Sequence, residues 1–186
     1  EPDLETLLRS RPRPRPRVRL QSLLYLLTAL TTFAAGAVGW EPLLLGVDDA
    51  DIAAAVQEHW GRGLIYTAAV MAVLTAHEAG HFIAAKLHGI PATLPFFIPM
   101  PILLTGTLGA VIGMEGSRAD RRQLFDIAIA GPLAGLVVAI PLLTLGIIGG
   151  TVGEANPFAL PALGAWIQSL VRPDLPTGTT VVPNPL

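Results

Sequence analysis

The order of apolar and polar stretches along the chain predicts three membrane-spanning helices. Residues 20–40, 64–87 and 124–150 are long apolar runs, and each supplies the roughly 20 residues that a helix needs to cross a bilayer. Within the third run, Gly131 and Gly135 have the small-xxx-small spacing that lets helices approach closely. The fold class predicted from this pattern is a membrane protein, mainly α, with three transmembrane helices.

The apolar segment between the second and third spans has a different pattern. Four prolines within residues 91–101 exclude a continuous helix, and a stretch rich in glycine and β-forming residues follows at positions 105–112. Non-helical backbone at membrane depth persists only where protein or a wet cavity satisfies its polar groups. We therefore predict a re-entrant proline-rich loop or β-hairpin over residues 91–114, packed against the second span.

Polar segments flank the predicted membrane domain, which covers residues 20–150. Residues 1–19 form a basic juxtamembrane tail, in which the alternating arginine and proline of residues 11–17 predict extended backbone without a core. The connector at residues 41–62 is acidic, and we expect a short surface helix within it at residues 52–60.

Composition agrees with a membrane protein and narrows the chemistry. The 186 residues are 52% hydrophobic and only 14% charged, and the mean hydropathy is +0.58. The chain has no cysteine, so any metal site must use histidine, carboxylate or water. The net charge of −2 says little about partners, and no nucleic acid is expected among them.

The positions of the basic residues predict how the chain crosses the membrane. The tail before the first span and the loop before the third hold nine of the 12 Lys and Arg residues, whereas the acidic connector holds one. Basic segments stay on the cytosolic side, so the N-terminus is expected in the cytosol and the second span is expected to run inward. Residues 151–186, a proline-rich segment with a short amphipathic helix at residues 162–171, are then extracytosolic.

The second span contains the ionisable residues His77, Glu78 and His81. Two histidines four residues apart point within about 40° of each other on a helix, so both imidazoles can bind one ion. Glu78 is then placed to exchange a proton with a water on that ion. This is the HExxH pattern of zinc peptidases, and it predicts Zn²⁺ ligands at His77 and His81 and a catalytic general base at Glu78.

Two other interpretations of these residues stay open. Ionisable groups inside a span cost on the order of 3 kcal/mol or more each, so they usually face a partner or a cavity. Near the inner headgroups, however, the two histidines could simply be hydrated. Alternatively, Glu78 could be the ion site of a transporter, because broken helices and close glycine spacing also occur in transporters.

Several linked motifs resemble those of the site-2 protease family of intramembrane zinc metalloproteases, in particular its cyanobacterial and chloroplast branch. They occur at residues 76–81, 94–101, 105–109 and 121–135, and the last ends in Ala-Gly-Pro-Leu-Ala-Gly. The resemblance covers about residues 64–136. Together these motifs are far more specific than HExxH alone.

The resemblance carries expectations for site, activity and partners. It implies that the residues matching His77 and His81 bind zinc and that the one matching Glu78 is the general base. It also implies an endopeptidase that hydrolyses peptide bonds of transmembrane protein substrates near the cytosolic face. The protein is then expected in the lipid bilayer of a bacterial plasma membrane or a plastid-type membrane.

One part of the family's pattern is missing. The family's third zinc ligand is an aspartate in an Asp-Gly motif on a later span, and no Asp-Gly follows residue 150. We therefore expect the chain to be an internal piece of a longer protease, and we do not expect Asp126 to replace the missing ligand. The alternative is a catalytically incomplete membrane protein of the same fold, which acts as a chaperone-like or regulatory binder.

The strand-like residues after the prolines are the candidate substrate-binding site. A helical substrate must unwind before cleavage, and an extended segment with a free edge can pair with the unwound backbone. We therefore predict substrate contacts at Thr105, Gly106, Thr107 and Gly109. A structural lid that shields the site from lipid is an equally favoured use of this segment.

Overall fold

The structure, a computed structural model, describes residues 17–38, 49–103, 105–116, 119–152, 162–175 and 181–183. Three long helices dominate it: α1 (Val18–Val38), α2 (Asp49–Leu87) and α3 (Arg121–Gly149). They contain 21, 39 and 29 residues, and each is long and apolar enough to cross a membrane. The predicted fold class, a mainly α membrane protein with three long apolar helices, is confirmed.

Helix α2 is longer than the second span predicted from the sequence. It begins at Asp49, and its backbone departs from helical geometry only at His59, where φ is −118° and ψ is 25°. The short helix expected at residues 52–60 is therefore present as the first part of α2, up to the kink at His59, and its position at the membrane surface stays a prediction. No proline lies within α2, so the chain resumes helical geometry directly after His59.

Helix α3 begins with a complete capping box. Asp120 accepts a hydrogen bond from the backbone N–H of Gln123 (2.8 Å), and Oε1 of Gln123 accepts one from the backbone N–H of Asp120 (3.0 Å). This start lies close to the end of α2, since Nε2 of His88 is 3.3 Å from Oδ2 of Asp126. Helices α2 and α3 therefore meet at the end of the bundle where α2 stops and α3 starts.

Both α1 and α3 pack against α2, and glycine is needed in each contact. A Cβ added at Gly63 of α2 would lie 2.9 Å from the ring of Phe33 in α1. A Cβ added at Gly80 of α2 would collide with the backbone carbonyl of Ala130 in α3. Side chains at these positions would push the helices apart, so the absence of a Cβ fixes how closely the three helices pack.

The segment between α2 and α3 contains an antiparallel β-hairpin. Strands β1 (Phe96–Pro99) and β2 (Thr107–Val111) pair with Phe97 opposite Ala110, and the register shifts after Phe97. Gly106 immediately precedes β2 with φ at +74°, a backbone conformation that other residues adopt only with strain. Of the two alternatives predicted for this segment, the structure contains the β-hairpin.

The hairpin packs mainly on α1, whereas the sequence led us to expect packing on the second span. Gln21 of α1 donates an Nε2–H bond to the carbonyl of Leu94 (2.8 Å), and the ring of Tyr25 meets that of Phe97 edge-on with centroids 4.9 Å apart. Helix α2 contributes less, chiefly through the hydroxyl of Tyr66. The physical reason is Phe97, which is only 3% exposed because α1 covers its ring.

The residues that follow α3 fold back onto the end of that helix. Strands β3 (Gly150–Val152) and β4 (Val181–Pro183) form an antiparallel pair that the sequence analysis did not predict. Helix α4 (Ala162–Val171) has the bounds predicted for the short amphipathic helix and packs on α3. Arg172 at its end donates a hydrogen bond to the carbonyl of Gly150 (3.4 Å). The extracytosolic position of this segment stays a prediction.

Candidate metal site

The two histidines of the HExxH pattern lie on one face of α2, and their rings converge. Nε2 of His77 and Nε2 of His81 are 3.0 Å apart, and the ring centroids are 4.7 Å apart with an interplanar angle of 76°. Two nitrogens that bind one tetrahedral zinc at about 2.0–2.1 Å would be about 3.3 Å apart. The observed separation therefore fits joint binding of one ion, and without metal it suits an N–H···N hydrogen bond.

A backbone carbonyl of α3 holds the ring of His81 in place. Nδ1 of His81 lies 2.7 Å from the carbonyl oxygen of Ile127. A carbonyl can only accept a hydrogen bond, so Nδ1 carries the proton, and Nε2 of the neutral ring keeps a free lone pair. Because Nε2 is the nitrogen that faces His77, this hydrogen bond leaves the lone pair of the His81 ring directed at His77.

Glycines of α3 provide the space for both imidazoles. A Cβ added at Gly131 would collide with the ring of His81, and one added at Gly135 would lie 3.4 Å from Nδ1 of His77. The two glycines are four residues apart, as the histidines are, so each pair shares one helix face. The close helix contact predicted from the glycine spacing is present, and it forms at the histidines themselves.

Glu78 is the buried carboxyl group of the site. It is 5% exposed, and no residue in the described part of the chain forms a hydrogen bond with its carboxylate. It lies close enough to His81 for the two side chains to interact electrostatically. Its carboxylate oxygens are not fully enclosed, since they are not among the buried, unpaired side-chain atoms of the described residues. A carboxyl group that is mostly buried and has no protein partner is available to a ligand beside the two histidines.

A third metal ligand is the missing part of the site. Among the residues that the structure describes, no group of three or more histidine, cysteine, aspartate or glutamate side chains could hold a metal ion. Asp126 lies in the first part of α3, and its carboxylate is paired with His88, just beyond the end of α2. This part of the chain therefore supplies two imidazoles, and a complete zinc site needs a further ligand.

Two of the four candidate substrate-binding residues lie at the hairpin turn and contact neighbouring helices. The carbonyl of Thr105 accepts a hydrogen bond from the hydroxyl of Tyr66 in α2 (3.2 Å). Gly106 lies directly against α1, where an added Cβ would be 2.5 Å from the carbonyl oxygen of Thr31. These contacts attach the turn to both helices, and substrate binding at either residue stays a prediction.

The other two candidates lie on β2 and differ in their surroundings. The hydroxyl of Thr107 donates to the carbonyl of Ile98 in β1 (2.9 Å) and accepts from the backbone N–H of Gly109 (2.9 Å). Gly109 has no atom within 4 Å of the position where a Cβ would stand. Thr107 therefore holds the hairpin together, whereas Gly109 leaves open space beside the strand.

The sequence analysis missed the carbonyl of Ile127, although it identified the ring that this carbonyl holds. No side-chain pattern shows which backbone carbonyl a histidine will reach, since every residue has one. The available signal was the matched spacing of Gly131 and Gly135 with His77 and His81, which places two small positions opposite two large ones.

Long apolar helices, a hairpin between them and an HExxH helix packed on glycines define the class of membrane-embedded metallopeptidases. The comparison with known families agrees: the chain matches peptidase family M50 over residues 65–177 and belongs to this family. The similarity to the site-2 protease family, in its chloroplast-like branch, is confirmed. The predicted enzyme class, a metalloendopeptidase, is that of the family.

Two plant proteins show how far the similarity extends. The chain is 34% identical over 131 residues to "Probable zinc metalloprotease EGY2, chloroplastic" of Arabidopsis thaliana. The matched segment is 67% of this chain and 23% of that protein. The chain is also 38% identical over 79 residues to "Probable zinc metalloprotease EGY1, chloroplastic" of Oryza sativa subsp. japonica. Here the matched segment is 42% of this chain and 13% of that protein. The matched part is less than a quarter of either relative. No solved structure matches the chain at a significant level.

Proposed function

We propose that the protein is a zinc-dependent endopeptidase that hydrolyses peptide bonds of transmembrane proteins near the cytosolic face of the membrane. One observation carries the proposal. The Nε2 atoms of His77 and His81 are 3.0 Å apart on a helix that is long and apolar enough to cross a membrane, with the buried Glu78 beside them. The relatives named as zinc metalloproteases support zinc as the metal.

The chain's own residues have distinct roles in this reaction. His77 and His81 would hold the metal through their Nε2 atoms, which face each other, and the carbonyl of Ile127 keeps the proton of His81 on Nδ1. When bound, zinc supplies a water molecule whose pKa is lowered to about 7. The carboxylate of Glu78 accepts the proton of the attacking water and then donates it to the nitrogen of the leaving amine. A further zinc ligand is expected from outside the described residues.

The proposed orientation places this chemistry toward the cytosol. Arg121 and Arg122 begin α3 at the end of the bundle where α2 stops, and basic segments favour the cytosolic side. His77 lies about three helical turns before Leu87, the last residue of α2, so both imidazoles are in the inner half of the membrane in this orientation. The N-terminus is then cytosolic, and the chloroplast names of the relatives favour a plastid-type or related bacterial membrane.

Strand β2 is the proposed place of substrate binding. A substrate helix must unwind before its carbonyls are accessible, and an extended strand can pair with unwound backbone. Within the described residues, β2 pairs only with β1, so its other edge has no strand partner. The open space at the Cβ position of Gly109 lies on a face of the strand and leaves room for a side chain of the substrate.

Replacement of Glu78 by Gln in the full-length protein tests the proposal. We expect kcat to fall about 10²- to 10⁴-fold because the general base is lost, while the zinc content measured by mass spectrometry stays unchanged. Glu58→Gln removes an exposed carboxylate from the same helix and should leave both quantities unchanged. Cleavage by Glu78→Gln at the wild-type rate would exclude Glu78 as the general base.

A catalytically incomplete binding protein of the same fold is the second candidate. The observation that favours it is the lack of a third metal ligand within the described residues. In that case the full-length protein would bind transmembrane proteins without cleaving them and would contain much less than one zinc ion per chain. A zinc content near one per chain that is lost in His81→Ala would exclude this candidate.

A further inference from the structure

We propose that helix α3 sets the metal affinity of the site by positioning the imidazole of His81 between the carbonyl of Ile127 and the missing side chain of Gly131. The inference deepens the proposed function and rests on it, because it assumes that His81 binds the metal. Neither Ile127 nor Gly131 is placed to touch a metal ion. Both are positioning residues that act through the ring of His81.

Gly131 leaves the space that the ring of His81 occupies. A Cβ at this position would overlap three atoms of the His81 ring, namely Nε2, Cδ2 and Cε1. Glycine in the interior of a helix is less favourable than alanine, so the glycine here does not stabilise α3 by itself. The space that it leaves is filled by the ring.

The hydrogen bond explains why the ring cannot move aside. Nδ1 of His81 donates to Ile127 at 2.7 Å, and Ile127 lies one helical turn before Gly131 on the same face of α3. A ring displaced by a new Cβ would have to leave this carbonyl. It would then lose both its fixed tautomer and the aim of Nε2 at His77.

Three glycines of α3 form a graded series for the test. A Cβ added at Gly131 would overlap the ring of His81. A Cβ added at Gly135 would lie 3.4 Å from His77, and one added at Gly146 would have no atom within 4 Å. An alanine at each position adds the same single methyl group to the same helix. Gly146→Ala is therefore the matched control for Gly131→Ala.

The experiment measures zinc affinity and the state of the His81 ring in the full chain. Zinc affinity is measured by competition with a chromophoric chelator, and the tautomer of His81 by ¹⁵N chemical shifts of the metal-free chain in lipid. We expect Gly131→Ala to bind zinc about 10- to 100-fold more weakly and to show mixed tautomers. Gly135→Ala should show a smaller loss, and Gly146→Ala should behave as the unchanged chain does.

The outcomes separate this inference from the proposed function. Gly131→Ala with unchanged zinc affinity and the proton still on Nδ1 of His81 would overturn the inference and leave the proposed function standing. Zinc binding that persists in His81→Ala at full strength would overturn the proposed function. If Gly131→Ala does not fold, the tautomer of His81 in the unchanged, metal-free chain is the test. A proton mainly on Nδ1 supports the inference, and a proton mainly on Nε2 contradicts it.

Discussion

The two contacts that surround the site are built in opposite ways. In the helix contact, the large polar rings of His77 and His81 on α2 pack against α3 at Gly131 and Gly135, which have no side chains. The hairpin contact, where β1 and β2 meet α1 and each other, uses polar side chains such as Gln21 and Thr107 that bond to backbone groups. At the first contact two ring nitrogens stay available for chemistry, whereas at the second the polar groups are used for structure.

This difference predicts different consequences for substitutions. Changes in the helix contact should alter metal binding strongly, because they move the ligands. Changes in the hairpin contact should alter the stability of the fold and leave zinc affinity of the folded chain unchanged. The three predictions below test the hairpin side of the comparison, in order of decreasing effect.

The largest effect is expected from Gly106→Ala. The new Cβ would lie 2.5 Å from the carbonyl oxygen of Thr31, and the backbone at φ +74° disfavours any side chain. We expect the free energy of unfolding, measured in detergent by denaturant titration, to fall by about 2–4 kcal/mol.

Gly109→Ala is the matched control for this loss. Gly109 also has a positive φ, +95°, but nothing lies within 4 Å of its added Cβ. The free energy of unfolding of Gly109→Ala should therefore fall by only about 1–2 kcal/mol, the cost of placing a side chain at positive φ. Equal losses in the two variants would show that the close contact with α1 contributes nothing.

A smaller effect is expected from Thr107→Val. The substitution keeps the shape of the side chain but removes the hydroxyl that joins Ile98 to Gly109, so a carbonyl and an N–H lose their partner. We expect a loss of about 1–2 kcal/mol in the free energy of unfolding.

The control for Thr107→Val is Thr144→Val on α3. Its hydroxyl bonds only to a carbonyl of its own helix, at Ile140, and stability should change little. A loss of zinc affinity in folded Thr107→Val would break the comparison, because it would show that the hairpin also positions the metal ligands.

The smallest effect is expected from Gln21→Leu. Its Nε2 bond to Leu94 is lost, but its Oε1 is buried without a hydrogen-bond partner in the described residues, and removing that atom offsets the loss. The net change should stay within about 1 kcal/mol. Gln21→Glu should be clearly worse, since it buries a carboxylate beside a carbonyl, and equal stability of the two variants would contradict the assignment of this contact.

Side-chain patterns predicted the helices and the non-helical segment well. The apolar runs gave three helices, and four prolines gave the interruption that became β1 and the turn. The side-chain pattern did not predict which helix the hairpin packs on, because a single side chain decides that contact. The hairpin packs on α1 because of Phe97, and the sequence shows neither that this phenylalanine is buried, whereas Phe125 is exposed, nor which helix covers its ring.

The candidate site shows the same limit more sharply. His77, Glu78 and His81 were recognisable because their spacing matches the helical period and their chemistry is unusual in an apolar run. The carbonyl of Ile127 was not, because backbone groups are identical at every position. The pairing of β3 with β4 was missed for a related reason, since three-residue strands leave no periodic signal.

The hydrogen bond from Tyr66 to Thr105 has a consequence for distances along the axis of α2. It attaches the hairpin turn to α2, and the same regular stretch of helix carries His77 about 16 Å further along its axis. The five residues of β2, at about 3.3 Å each, extend over a similar length. Strand β2 leads from this turn toward Met114, which pairs with Ala92 just beyond the end of α2, so the strand and the helix run in the same direction. A polypeptide paired with β2 would therefore reach the level of the imidazoles about five residues from the turn.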